Sequence, residues 1–72
     1  MSDPLEVDAR GLACPLPLLR TRAALRGSPA AVRVRVDSAA ARDDVVALLG
    51  DHGFAVATAE EPDGWRIDGR RR

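Results

Sequence analysis

The segment Val32-Arg-Val-Arg-Val36 constrains the fold most, because it alternates valine and arginine without interruption. Successive side chains of a strand point to opposite faces, so one face here is apolar and the other cationic. A helix would wrap the two arginines around the same side as the valines. The chain must therefore contain a sheet covered on one face and open to water on the other. With 72 residues, it has room for one small core and little spare stability, so a single domain over residues 1–72 is expected. A deep pocket with many catalytic residues is hard to build at this size. Function is expected at a surface group or a docking face.

The remaining elements fall around that strand. Leu5-Glu-Val-Asp8 alternates in the same way and reads as a first strand, followed by the loop Arg10-Gly-Leu-Ala13. Pro15 suits the first helical position, where a missing N–H is no loss. Leu18, Thr21 and Leu25 then share one side of a helix that Gly27-Ser-Pro29 ends. Asp37-Ser38 caps a second helix, with Asp43 and Asp44 in its early turns. Ala41, Val45, Leu48, Leu49 and His52 form its apolar face, and Gly53 stops it. His52 reads either as part of that face or, more simply, as a residue capping the helix C-terminus. Phe54, Val56 and Thr58 alternate with alanines as a third strand, and Glu61-Pro-Asp-Gly64 carries turn chemistry. Trp65-Arg-Ile67 supplies a short fourth strand. The segment Gly69-Arg-Arg-Arg72, residues 70–72 above all, reads as a frayed tail. The order is β-α-β-α-β-β, an α+β arrangement with both helices on one face of a four-stranded sheet. Glu6, Arg33, Arg35 and Arg66 look out from the other.

Composition excludes several functions. Eleven basic residues balance eleven acidic ones, and there is one Trp, one Phe and no Tyr. Direct nucleic-acid binding wants a basic excess or aromatic platforms, and neither is present. The longest apolar runs fall far short of a membrane span. Met1-Ser-Asp-Pro4 lacks the basic and apolar regions of a signal peptide, so a cytoplasmic protein is expected. A lone cysteine makes no internal disulfide. One cysteine and one histidine cannot fill a structural metal site, and no metal or other cofactor is expected.

Attention therefore falls on Cys14, just before Pro15 at the head of the first helix. Backbone N–H groups and the positive end of the dipole favour a thiolate there, and Pro15 and Pro17 stiffen the turn. The plainer reading is a small buried hydrophobe. A hydrolase would need a base beside the thiol, and His52 lies at the far end of the second helix. A dithiol oxidoreductase would need a resolving cysteine, and position 17 is Pro17. What remains is a thiol that takes a group from one partner and hands it to another, or a thiol-based regulatory or redox-sensing module. Leu16 and Leu19 face away from the helix core side. They are either a partner-docking patch or partly buried against the preceding loop. Arg10 and Arg22 are the arginines best placed for a supporting role; Arg20 and Arg26 complete a basic flank that is otherwise a solvated face.

Leu5-Glu-Val-Asp-Ala-Arg-Gly-Leu-Ala-Cys-Pro-Leu-Pro-Leu-Leu-Arg20 closely resembles the TusA family of sulfur carriers, also called SirA-like or YedF-like. The matching positions are Asp8, Gly11, Leu12, Cys14, Pro15 and Pro17. Val36-Asp37-Ser38-Ala39-Ala40, Asp43 and Gly53-Phe-Ala-Val56 resemble later family segments. The resemblance implies a two-layer α/β sandwich with a mixed four-stranded sheet and two helices packed on one face. It implies that Cys14 accepts sulfane sulfur as a persulfide, from a cysteine desulfurase or a rhodanese-like donor. The sulfur then passes to an acceptor protein, for tRNA thiolation or other sulfur trafficking. The resemblance implies a sulfurtransferase-like relay rather than a turnover enzyme, and no direct nucleic-acid or membrane partner is expected. Ser38 stands where the family usually has Pro. Leu16 stands where the tRNA-thiolation branch often has an acidic residue.

Overall fold

A computed structural model describes residues 4–13 and 15–72. It contains β1 (Leu5–Asp8), α1 (Leu16–Leu25), β2 (Ala31–Val36), α2 (Ala39–Asp51), β3 (Phe54–Glu61) and β4 (Gly64–Arg71). The sheet has four strands in the order β1-β2-β4-β3. β1 runs parallel to β2, with Val7 opposite Val34, whereas β4 runs antiparallel to both β2 and β3. The sheet is therefore mixed, as expected.

Val32, Val34 and Val36 are buried and Arg33 and Arg35 are not, so the alternation of β2 separates core from solvent. Both helices pack on the valine side. α2 buries Ala41, Val45, Leu48 and Leu49 and lies against β2, β3 and β4, while α1 contacts β1 and α2. Phe54 and Ile67 complete the core from the hairpin strands. On the open face, opposite charges sit on neighbouring strands. Arg33 Nε is 2.8 Å from Asp68 Oδ1, and Arg66 Nε is 3.0 Å from Asp68 Oδ2. Glu6 and Glu61 approach Arg33, Arg35 and Arg66 at 3.4 to 3.8 Å. These pairs are partly exposed, so each adds little stability, and their main effect is to keep the face polar.

The helix boundaries follow from local chemistry. The Ser38 hydroxyl accepts the Ala41 N–H at 3.1 Å, capping α2. At the other end His52 is exposed, and its Nδ1–H donates to the Leu48 carbonyl at 2.9 Å. His52 is thus a C-terminal cap and not a member of the buried face. In α1 the buried residues are Pro17, Thr21 and Leu25, with Leu18 half-buried. Pro17 is thereby a packing residue as well as a stiffener.

One expectation is corrected. Residues 69–71 form no frayed tail, because β4 continues to Arg71. β4 is an interior strand, and its backbone finds partners on both sides: Gly69 pairs with Val32 and with Val56. The Arg71 N–H donates to Ala30 O at 2.8 Å, and its guanidinium stacks over the Phe54 ring at 4.9 Å. Gly69 itself is buried, with Leu49, Val32 and Phe54 crowding the space a side chain would need.

Candidate functional site

β1 and β2 are parallel and each is followed by a helix, so the loop after β1 and the junction after β2 leave the sheet at the same end. The β3–β4 turn at Pro62-Asp63 reaches that end too, because Trp65 pairs with Val36, the last residue of β2. Three segments distant in sequence therefore meet around the loop of residues 9–13. Cys14 lies outside the described residues.

The loop is pinned step by step. Ala9 is buried, and its N–H donates to Arg35 O at 2.8 Å, prolonging the β1–β2 ladder by one bond. Arg10 turns back on Asp8, its Nε and Nη2 each 2.9 Å from a carboxylate oxygen. Its Nη1 reaches Asp63 Oδ2 at 2.6 Å. Hydrogen bonds from the Arg10 side chain and backbone hold the Asp8 carboxyl at about 2, well below the usual aspartate value. The same contacts push the Arg10 guanidinium up. Arg10 is thus engaged by two carboxylates in a fixed fork. Gly11 adopts φ +77, a left-handed conformation suited to glycine, and its N–H donates to Asp37 Oδ2 at 2.6 Å. Leu12 packs against the core cluster.

Beyond residue 14, Pro15 is the N-cap of α1, with Pro17 in the first turn. The Leu16 N–H bonds back to Ala13 O at 2.8 Å, and the Leu19 N–H to Pro15 O at 3.1 Å. Thr21, fully buried, donates its hydroxyl proton to Pro17 O at 2.9 Å. These bonds satisfy backbone groups in the first turn of α1. Leu16 and Leu19 are each 46% exposed and belong to the solvent face of α1, as their spacing predicted. Arg22 is exposed in the last turn of α1, at the opposite end of the helix from the loop. Arg10 is brought to the loop; Arg22 is not.

Two residues of this region were not singled out by sequence. Asp37 read as a helix cap, but Ser38 alone caps α2 while Asp37 holds Gly11, 26 positions away. Asp63 read only as turn chemistry, yet it holds Arg10 across 53 positions. No local signal announces either contact. Among the described residues no cluster of His, Cys, Asp or Glu is arranged to hold a metal ion, and no helix is long and apolar enough to cross a membrane.

Comparison with known proteins agrees with this architecture. The crystal structure of a SirA-like protein from Desulfitobacterium hafniense superimposes with a TM-score of 0.77 at 26% identity, covering 92% of this chain and 93% of that one. No curated protein matches the chain. The family model described as sulfurtransferase TusA matches residues 5–70, a span that takes in both helices and all four strands but for Arg71 at the end of β4. The chain belongs to the TusA sulfurtransferase family, and that membership suggests a sulfur-carrier role.

Proposed function

We propose that Cys14 accepts sulfane sulfur as a persulfide and relays it to an acceptor protein, acting in the cytoplasm as a carrier. The observation that carries this reading is the family match, which spans the Cys14-Pro-Leu-Pro17 segment. The pinned approach to the segment supports it, since a carrier must present one thiol in a constant geometry to two partners. In the loading step the Cys14 thiolate attacks the terminal sulfur of a persulfide on a cysteine desulfurase or rhodanese-like donor. The donor's S–S bond breaks, its sulfur leaves as a thiolate, and a new S–S bond forms on Cys14. No oxidant, metal or cofactor enters. In unloading, a thiolate of the acceptor protein attacks the outer sulfur of the Cys14 persulfide. The S–S bond on Cys14 breaks and Cys14 leaves as the thiolate, sending the sulfur toward tRNA thiolation or another sulfur-consuming route.

The helix start sets the reactivity. Pro15 and Pro17 have no N–H, and those of Leu16 and Leu19 are taken by Ala13 and Pro15. What the helix start then offers a sulfur anion is the positive end of the α1 dipole. Gly11, Pro15 and Pro17 shape the approach, Arg10 braces it, and Leu16 and Leu19 form the docking patch beside it. Arg22, far along α1, acts at most on an extended partner.

The decisive experiment incubates the protein with a cysteine desulfurase and cysteine, followed by intact mass measurement. The expected result is a gain of one sulfur atom, lost on reduction and absent from Cys14→Ser. No gain, or a gain that persists in Cys14→Ser, overturns the proposal. Rapid sulfenylation by peroxide with no uptake from the donor would point instead to a redox-sensing thiol.

A further inference from the structure

We infer that Asp37 is a positioning residue for Cys14, acting through the Gly11 amide. This rests on the reading of Cys14 as the reactive group, and it adds a residue that neither the helix start nor the family match assigns. The Asp37 Oδ2 atom accepts the Gly11 N–H at 2.6 Å, and this bond joins the end of β2 to the loop three residues before the cysteine. Gly11 needs such a hold. At φ +77 its backbone is in a region from which glycine escapes easily.

Asp37 is itself held firmly on both sides. Ser38, the next residue, is fixed by its bond to the Ala41 N–H. The hairpin residue Gly64, at φ +146, packs so closely on Val36 O and Asp37 Cα that no side chain fits. A carboxylate mounted on so constrained a backbone makes a stiff anchor. Arg10 provides the second anchor, through Asp8 and Asp63, so the loop is tied at consecutive residues to two different elements. Of the two, the Asp37 bond is the one that joins the loop backbone to a residue distant in sequence; the Arg10 N–H reaches only the neighbouring Asp8, at 3.2 Å.

The test compares Asp37→Ala with Asp37→Asn. Asparagine keeps an oxygen that accepts the Gly11 N–H and loses only the charge. The measured quantity is the rate at which Cys14 is alkylated by iodoacetamide at fixed pH, below the melting point of each variant. Alkylation needs no sulfur donor, so this result stands whether or not persulfide loading occurs. Loss of a bond of this kind predicts a rate about tenfold lower in Asp37→Ala, with Asp37→Asn within about threefold of the unsubstituted protein. An unchanged or faster rate in Asp37→Ala overturns the inference. So does an Asp37→Asn rate as low as that of Asp37→Ala, which would mean the charge acts and not the bond. Should Asp37→Ala fail to fold, amide exchange on the unsubstituted protein decides. Gly11 must exchange at least about tenfold more slowly than an unstructured glycine, and exchange at the unstructured rate overturns the inference.

Discussion

Arg10 Nη1 lies 2.6 Å from Asp63 Oδ2, linking the loop before Cys14 to the tip of the β3–β4 hairpin. A free cation beside a persulfide would stabilise the anion directly; this one already carries two carboxylates. We therefore expect Arg10→Ala and Asp63→Ala to slow sulfur uptake by a similar factor, about threefold, since an exposed pair is worth little on its own. Uptake kinetics with a desulfurase donor check this. An effect of Arg10→Ala that Asp63→Ala does not share would mean that the guanidinium serves the sulfur and not the loop.

Acid should weaken the fold through the other carboxylate that Arg10 holds, Asp8. The carboxyl of Asp8 sits at about 2 when folded, against 3.8 in an ordinary setting. A depressed value means that the stabilisation is complete above about pH 4 and is lost as pH falls through about 2. Asp68 adds to this. Partial burial raises it, but hydrogen bonds from Arg33 and Arg66 outweigh burial and leave it lowered. Urea midpoints measured from pH 5 downward should fall, and Asp8→Asn should flatten that dependence. Because Asp8 is exposed, added salt should shrink the difference between the two proteins.

Patterns that repeat locally were legible in the sequence, and contacts between distant segments were not. The alternation of Val32, Val34 and Val36 with Arg33 and Arg35 announced a one-sided sheet because side-chain period is a property of a few neighbouring residues. Leu16 and Leu19 could be placed on the outer face of α1 by rotation alone. The length of β4 was hidden, since strand ends depend on partners, and here β2 and β3 carry the ladder to Arg71. Gly69 reads as a terminator until it is seen under Leu49 and Phe54. The two anchors of the loop, Asp37 and Asp63, are common turn and cap residues that acquire their role only when the chain closes.

Glycine substitutions separate close approach from mere flexibility. At Gly64 a β-carbon would overlap Val36 O and stand 2.8 Å from Asp37 Cα, at a φ of +146. Gly64→Ala should cost about 3 kcal/mol or more, enough to unfold much of so small a domain. At Gly50, inside α2, nothing lies within 4 Å of the added carbon. Gly50→Ala should stabilise by about 0.5 to 1 kcal/mol. Urea denaturation of the two variants gives opposite signs if the hairpin tip packs as described; equal midpoints would contradict it.

Stability and docking should come apart at the leucines. Leu49, on the sheet-facing side of α2, is fully buried, and Leu49→Ala should cost about 2–5 kcal/mol by leaving a cavity. Leu19 is 46% exposed on the outer face of α1, so Leu19→Ser should change stability by no more than about 0.5 kcal/mol. If Leu19 is covered by the donor protein, losing that contact should lower uptake from the donor about tenfold. Alkylation of Cys14 by iodoacetamide needs no docking and should keep its rate. Measuring both reactions on Leu19→Ser isolates the docking patch from the thiol: a parallel fall in the two rates would place Leu19 in the support of the helix start, and an unchanged donor rate would remove it from the interface.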